Sequence, residues 1–230
     1  MEALGDSAWG IVGLSLQVAF WSVAASLPPA LAVSWLLARK RFPGKILLDA
    51  VVHLPLVLPP VVVGFGLLLL LGRNGPLGAL LAPLGVTFAF QWTGAALAAA
   101  VMGFPLLVRA IRLSLESMDV RLESAARTLG AGPWRVFLTV TVPLIAPGIA
   151  TGVLLAFARS LGEFGATITF VSSIPGETQT LPLAIYAATQ VPGGEAAALR
   201  LSAISVLLSL AALAASEWLA RRARFGRPAR

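Results

Sequence analysis

The strongest constraint in this sequence is an apolar stretch that carries no charge from residue 7 to residue 38. A helix needs about 20 apolar residues to cross the roughly 30 Å of bilayer hydrocarbon, so this stretch is long enough to span. Pro28 and Pro29 within it predict a bend or a tilt. Four further stretches have the length and apolarity of spans: 50–72, 86–108, 136–158 and 196–220. The last carries Arg200 and Glu217 near its ends, where long side chains reach the headgroups. Only 12% of the residues are charged, whereas soluble domains carry about 25%. The predicted class is an all-α integral membrane protein, one domain over 1–230 with about five transmembrane helices. The start of the chain, MEALGDSAWG, lacks the basic segment of a cleaved signal peptide, so the first run is expected to be kept as a span.

The stretch 160–195 reads differently. Its apolar pieces are about 10–14 residues long, too short to cross alone, which predicts a re-entrant or interfacial segment. A sixth span here is the alternative. The positive charges favour five. Of the 17 Lys and Arg residues, all but Arg73, Arg159 and Arg200 fall in 39–49, in 109–135 or in the tail RRARFGRPAR. Five spans put these three stretches on one side. The positive-inside rule then places the N-terminus outside and the C-terminus in the cytoplasm.

The segment ESAARTLGAGPWRVFLTVTVP, residues 123–143, lies on that cytoplasmic side. From Glu116 to Leu129 the pattern is helical, with Met118, Leu122, Ala125, Ala126 and Leu129 on one apolar face. Gly130 stands where a helix stops in a left-handed residue, and Gly132-Pro133 predicts a corner that opens the next helix. The polar side mixes Glu116, Asp119 and Glu123 with Arg121 and Arg127. Helices that rest on anionic lipid are Lys/Arg-rich there instead. This one is predicted to meet a protein.

That segment resembles the coupling loop of ABC importer permeases, whose pattern is E-A-A, three residues, G, nine residues, I-x-L-P. Ala125 and Ala126 take the alanine places, Gly130 the glycine, and Val140, Thr141, Val142 and Pro143 the end of the motif. Ser124 stands where the glutamate is usual, with Glu123 one place earlier. The resemblance implies that Glu123, Ser124, Ala125, Ala126, Leu129 and Gly130 form the segment that couples to a separate ATPase subunit. It implies a homodimer around a central path, two ATP-binding subunits below and an external oxyanion-binding protein above. The chain itself has no G-x-x-x-x-G-K-[ST] phosphate loop. No cofactor is expected in it, ATP and Mg²⁺ belonging to the partner. The setting implied is a bacterial cytoplasmic (inner) membrane, with lipid as a further partner and nucleic acid as none.

Two more stretches, HLPLVLPPVVVGFGLLLLLGRNGPLG and FARSLGEFGATITFVSSIPGETQTLPLAIY, are similar to the permeases of bacterial molybdate importers. Sulfate permeases share much of the second, and LPPVVVG leans toward molybdate. The substrate implied is molybdate, with sulfate or tungstate as alternatives. Dianions in a low-dielectric path need hydrogen bonds, and broken helices offer freed N–H groups. Pro59, Pro60 and Gly64 are the candidate pore residues on that ground. Glu163, Thr167 and Thr169 are candidates for a gate near the outer end.

Arg159 and Glu163 are read first as a local i,i+4 pair, and His53 as a neutral, hydrogen-bonded histidine at headgroup level. With one histidine and no cysteine, neither a metal site nor a catalytic set is expected. An ion-coupled secondary transporter is the less favoured class, because the spans hold almost no ionisable residue near their centres.

Overall fold

The computed structural model describes residues 2–225, and every regular element in it is a helix. Helix α1 (Glu2–Arg39) runs unbroken through Pro28 and Pro29. Each proline lacks the N–H that would reach the carbonyl four residues back, at Ala24 and Ala25, and both lie on the exposed side.

The predicted second span is not one helix. It is a pair, α2 (Lys45–Val57) and α3 (Pro60–Leu71), set at a bend of 115°. A residue before proline is pushed out of the helical region, and Leu58-Pro59-Pro60 imposes this twice. Leu58 at ψ 143 and Pro59 at ψ 132 are both extended, and Pro60 then opens α3 at its first position.

After α4 (Pro76–Leu81) and a short 3-10 turn, α5 (Trp92–Ser117) starts later than the predicted span and continues well past 108. Helices α6 (Val120–Thr128) and α7 (Pro133–Val136) form the corner. A π turn (Phe137–Thr141) joins α7 to α8 (Val142–Leu161) in one apolar column from Pro133 to Leu161.

The 160–195 segment holds α9 (Gly165–Val171) and α10 (Leu181–Thr189). At 1.5 Å per residue these are about 10 and 14 Å long, well short of the hydrocarbon thickness. Among the described residues no sixth span forms there. Helix α11 (Glu195–Phe225) closes the fold, and Arg227 and Arg230 of the basic tail lie outside the described residues. Four helices are long and apolar enough to cross a membrane, and five if the bent α2–α3 pair counts as one.

Helix α5 is the central post, packed by α1, α8 and α9. One half of it buries Ala95, Ala98, Ala99 and Met102 beside Val18, Phe170 and Val171. The other half buries Leu107, Val108, Ile111 and Leu115 beside Leu37 and Ile145. Lipid tails are as apolar as leucine, so helices in a bilayer associate through close packing and interhelical hydrogen bonds. Both devices are present. The small residues let backbones approach, and α1 carries a row of buried serines. Ser15 Oγ accepts from the Leu181 N–H at 2.8 Å, Ser22 and Ser160 share a 2.8 Å hydroxyl contact, and Ser34 Oγ donates to the Val108 carbonyl at 3.0 Å.

Helix α3 lies directly on α9. A Cβ at Gly64 would stand 2.5 Å from the Ala166 carbonyl oxygen, and one at Gly165 would stand 2.7 Å from Pro60 Cβ. Backbone meets backbone at Gly64, so no rotamer change can make room. Gly64→Ala is expected to cost about 1–3 kcal/mol by overpacking, seen as a lower unfolding midpoint in detergent. Gly66→Ala, two residues on and in open space, should leave the midpoint unchanged.

Candidate functional site: the cytoplasmic corner and the α3–α9 contact

The predicted helix over 116–129 is two helices. Helix α5 ends at Ser117, Met118 and Asp119 are extended, and α6 starts afresh at Val120. The cause is Asp119, whose carboxylate accepts from the Arg121 N–H at 2.9 Å as an N-cap. Met118 therefore terminates α5 and takes no part in the apolar face of α6.

The stop at Gly130 is as predicted, with φ at 84°. The Gly130 N–H reaches the Arg127 carbonyl at 3.0 Å and the Ala131 N–H reaches Ala126 at 3.2 Å. This pair of bonds is the Schellman motif. Extended Gly132 follows, and Pro133 takes the first position of α7.

The faces of α6 are inverted for a surface helix. Its carboxylate points in and its large apolar groups point out. Leu122, Ala125 and Leu129 are exposed, Leu129 to 89%. They recur at steps of three and four, which is one ridge of a helix. Ser124 is also exposed, Ala126 is half-buried and Glu123 is buried. Glu123 Oε1 accepts from Thr141 Oγ1 at 2.9 Å and pairs with Arg39 Nη2 at 3.5 Å. Sequence reasoning missed both Arg39 and Thr141. Neither is near Glu123 in the chain, and only the fold brings the end of α1 and the π turn to it. A cavity of ≈ 700 Å³ beside them is walled by Leu31, Trp35, Trp134 and Phe137, with Glu123 and Thr141 on its side.

The two stretches singled out in the sequence meet at the α3–α9 contact. Pro60 and Gly64 face Gly165 and Ala166, while Pro59 stays exposed at the bend. Glu163 is 2% exposed. Its Oε1 accepts from the Ala166 N–H at 2.8 Å, and its Oε2 meets Arg159 Nη1 at 2.6 Å. The i,i+4 pair is present, and burial raises its importance above that of a surface pair, because losing Arg159 would leave a buried carboxylate unpaired.

Thr167 is buried and donates to the Phe164 carbonyl at 2.8 Å, and half-buried Thr169 donates to Gly165 at 2.9 Å. Both hydroxyls are thus held by their own helix. Beyond α9, Ser172 has φ 63°. The loop is pinned by buried Thr178, whose Oγ1 accepts from the Ile174 N–H at 2.9 Å and donates to the Ser172 carbonyl at 3.0 Å. His53 lies elsewhere, on α2, its Nδ1–H donating to the Asp49 carbonyl at 2.9 Å.

The sequence pattern of the binding-protein-dependent transport system inner membrane component matches residues 30–225. The chain belongs to this family. Among its relatives, the permease is 62% identical to the molybdenum transport system permease protein ModB of Escherichia coli (strain K12), over 97% of this chain and 99% of that one. It is 58% identical to ModB of Haemophilus influenzae, over 92% and 93% of the two chains. It is 42% identical to the sulfate transport system permease protein CysW of Synechococcus elongatus, over 85% and 70%. In fold, the permease is similar to a bacterial ABC transporter involved in the import of the acidic polysaccharide alginate, with TM-score 0.73 at 17% identity over 93% of this chain and 78% of that one.

The corner makes its own prediction. Gly130→Val places a β-branched side chain at φ 84°, which costs on the order of 1–2 kcal/mol. The Ala131 amide, held by the Schellman bond, should then exchange its hydrogen faster in the permease variant. The amides of α5 at Leu107 and Ile111 should be unaffected.

Proposed function

We propose that this permease forms the translocation path of an ATP-driven importer for an oxyanion, and that the oxyanion is molybdate. One observation carries the choice of substrate: near full-length identity to molybdenum permeases, well above that to a sulfate permease. Like its relatives the chain is a transport component rather than an enzyme, and it sits in the inner membrane.

On this reading, ATP and Mg²⁺ are held by two partner ATPase subunits, and an external binding protein delivers the anion. Two copies of the chain enclose the path. The exposed row Val61, Phe65 and Leu69 on α3 supports the second copy, since it is an apolar helical stripe left uncovered in one chain. The N-terminus lies outside and the C-terminus in the cytoplasm, as the distribution of basic residues favours.

The coupling segment acts through its exposed ridge. Leu122, Ala125 and Leu129 would enter a groove on the ATPase, where their apolar area is removed from water. ATP-driven closure of the ATPases then moves the α6–α7 corner. The column from Pro133 to Leu161 carries that movement to Arg159 and Glu163, at the foot of α9. Helix α9 and the α3 face against it form the gate. Pro59 and Pro60 hold the bend, Gly64 sets the close approach, and Glu163 fixes the start of α9. Thr167 and Thr169 keep that short helix intact by bonding back to it. No strong anion site is required, since a path must release what it admits.

The test is uptake by proteoliposomes holding the permease, its ATPase and its binding protein. Labelled molybdate should accumulate only with ATP, tungstate should compete, and excess sulfate should not. Strong competition by sulfate would reassign the substrate. Accumulation driven by an ion gradient without nucleotide would overturn the reading. Leu129→Asp, which charges the most exposed apolar residue of the ridge, should abolish co-purification of the ATPase while the permease stays folded.

A further inference from the structure

The docking face of α6 is apolar, yet the one carboxylate on the helix is turned away from it. Glu123 sits where three elements converge. Its Oε1 accepts the Thr141 hydroxyl at 2.9 Å, from the last residue of the π turn that leads into α8. The same oxygen faces Arg39 Nη2 at 3.5 Å, from the last residue of α1. The Arg39 side chain is only 14% exposed, and its Nε and Nη2 make no hydrogen bond, so its charge is answered by this ion pair.

The surroundings make the link mechanically important. Helix α6 packs chiefly on α7 and on the π turn. Between its inner side and α1 lies the ≈ 700 Å³ cavity rather than packed side chains. Apolar contact does not tie α6 to α1 there, and the ionic contact spans the gap. A π turn is a local departure from α geometry that recurs at functional positions. This one ends on the residue that Glu123 holds.

We propose that Glu123 is a positioning residue of the coupling step and not a docking residue. It clamps the coupling helix to α1 and α8 together, so that a push on α6 moves both. This rests on the importer reading given above.

The test uses the full importer in proteoliposomes, with two readouts: affinity of the ATPase subunit for the permease, and molybdate moved per ATP hydrolysed. Glu123→Gln keeps a hydrogen-bond acceptor for Thr141 but removes the ion pair, and Arg39→Gln removes it from the other side. Each should lower molybdate moved per ATP by about two- to thirtyfold, the range of such coupling changes. ATPase affinity should stay within about twofold, and the double variant should be no worse than the worse single one. Arg39→Lys should restore part of the loss. Thr141→Ser should retain coupling, and Thr141→Val should not.

Loss of ATPase affinity in Glu123→Gln but not in Arg39→Gln would overturn the proposal, making Glu123 a docking group. So would wild-type stoichiometry in both. If the wild-type assembly hydrolyses ATP and moves no oxyanion, the importer reading fails by itself. The clamp is then judged from spin-label distances between α6 and the cytoplasmic end of α1. They should hold constant on ATP binding in the wild type and spread in Glu123→Gln, and spreading in the wild type would refute the clamp.

Discussion

A backbone in hydrocarbon must satisfy its own hydrogen bonds, because no water is there to do so. That requirement decides where this chain can turn. Each break in the helices is paired with a local device that meets the loss. At 58–60 the residues ahead of two prolines are forced extended, and Pro60 needs no partner for an N–H it lacks. At 118–119 an aspartate caps the new helix. At 129–132 a left-handed glycine returns two N–H groups to the helix just ended. At 172–180 a buried threonine closes the loop on itself. The long helices between these points can then pack on α5 without unpaired backbone.

The architecture that results has two ends with different chemistry. At the cytoplasmic corner, large apolar groups face out and a carboxylate faces in, opposite to a helix made for water. At the far contact, backbone lies on backbone at Gly64 and Ala166, beside a buried Arg159–Glu163 pair. The column from Pro133 to Leu161 joins the two ends. A rigid connection between an exposed apolar handle and a close, side-chain-free contact suits the conversion of a push at one surface into a shift at another.

Much of this was legible in the sequence because it depends on local chemistry. Span length is a count of apolar residues, and four of the long helices follow from it. Gly130 and Pro133 announced the corner because few residues fill those backbone states. What was not legible depends on direction or on distant partners. The proline pair at 59–60 signalled a breaker, but the span was still drawn straight through it. Asp119 carried an N-cap signal that the apolar periodicity across 116–129 masked. The inward turn of Glu123 had no local sign at all. Its reason is Arg39, more than eighty residues earlier, and no spacing rule connects the two.

The wide turn at Phe137–Thr141 gives the spacing of the coupling motif a meaning beyond distance. An α-helix advances about 100° per residue. A π turn takes in one residue more than an α turn does, so it alters the angular phase of everything that follows while the axis carries on. Deleting a single residue there would let the column close as ordinary α-helix. It would also swing the Thr141 hydroxyl through about 100°, off the side where Glu123 waits. The interval between Gly130 and Pro143 therefore sets a rotational register, and a loop that is right in length but wrong in phase would leave the elbow joined to nothing.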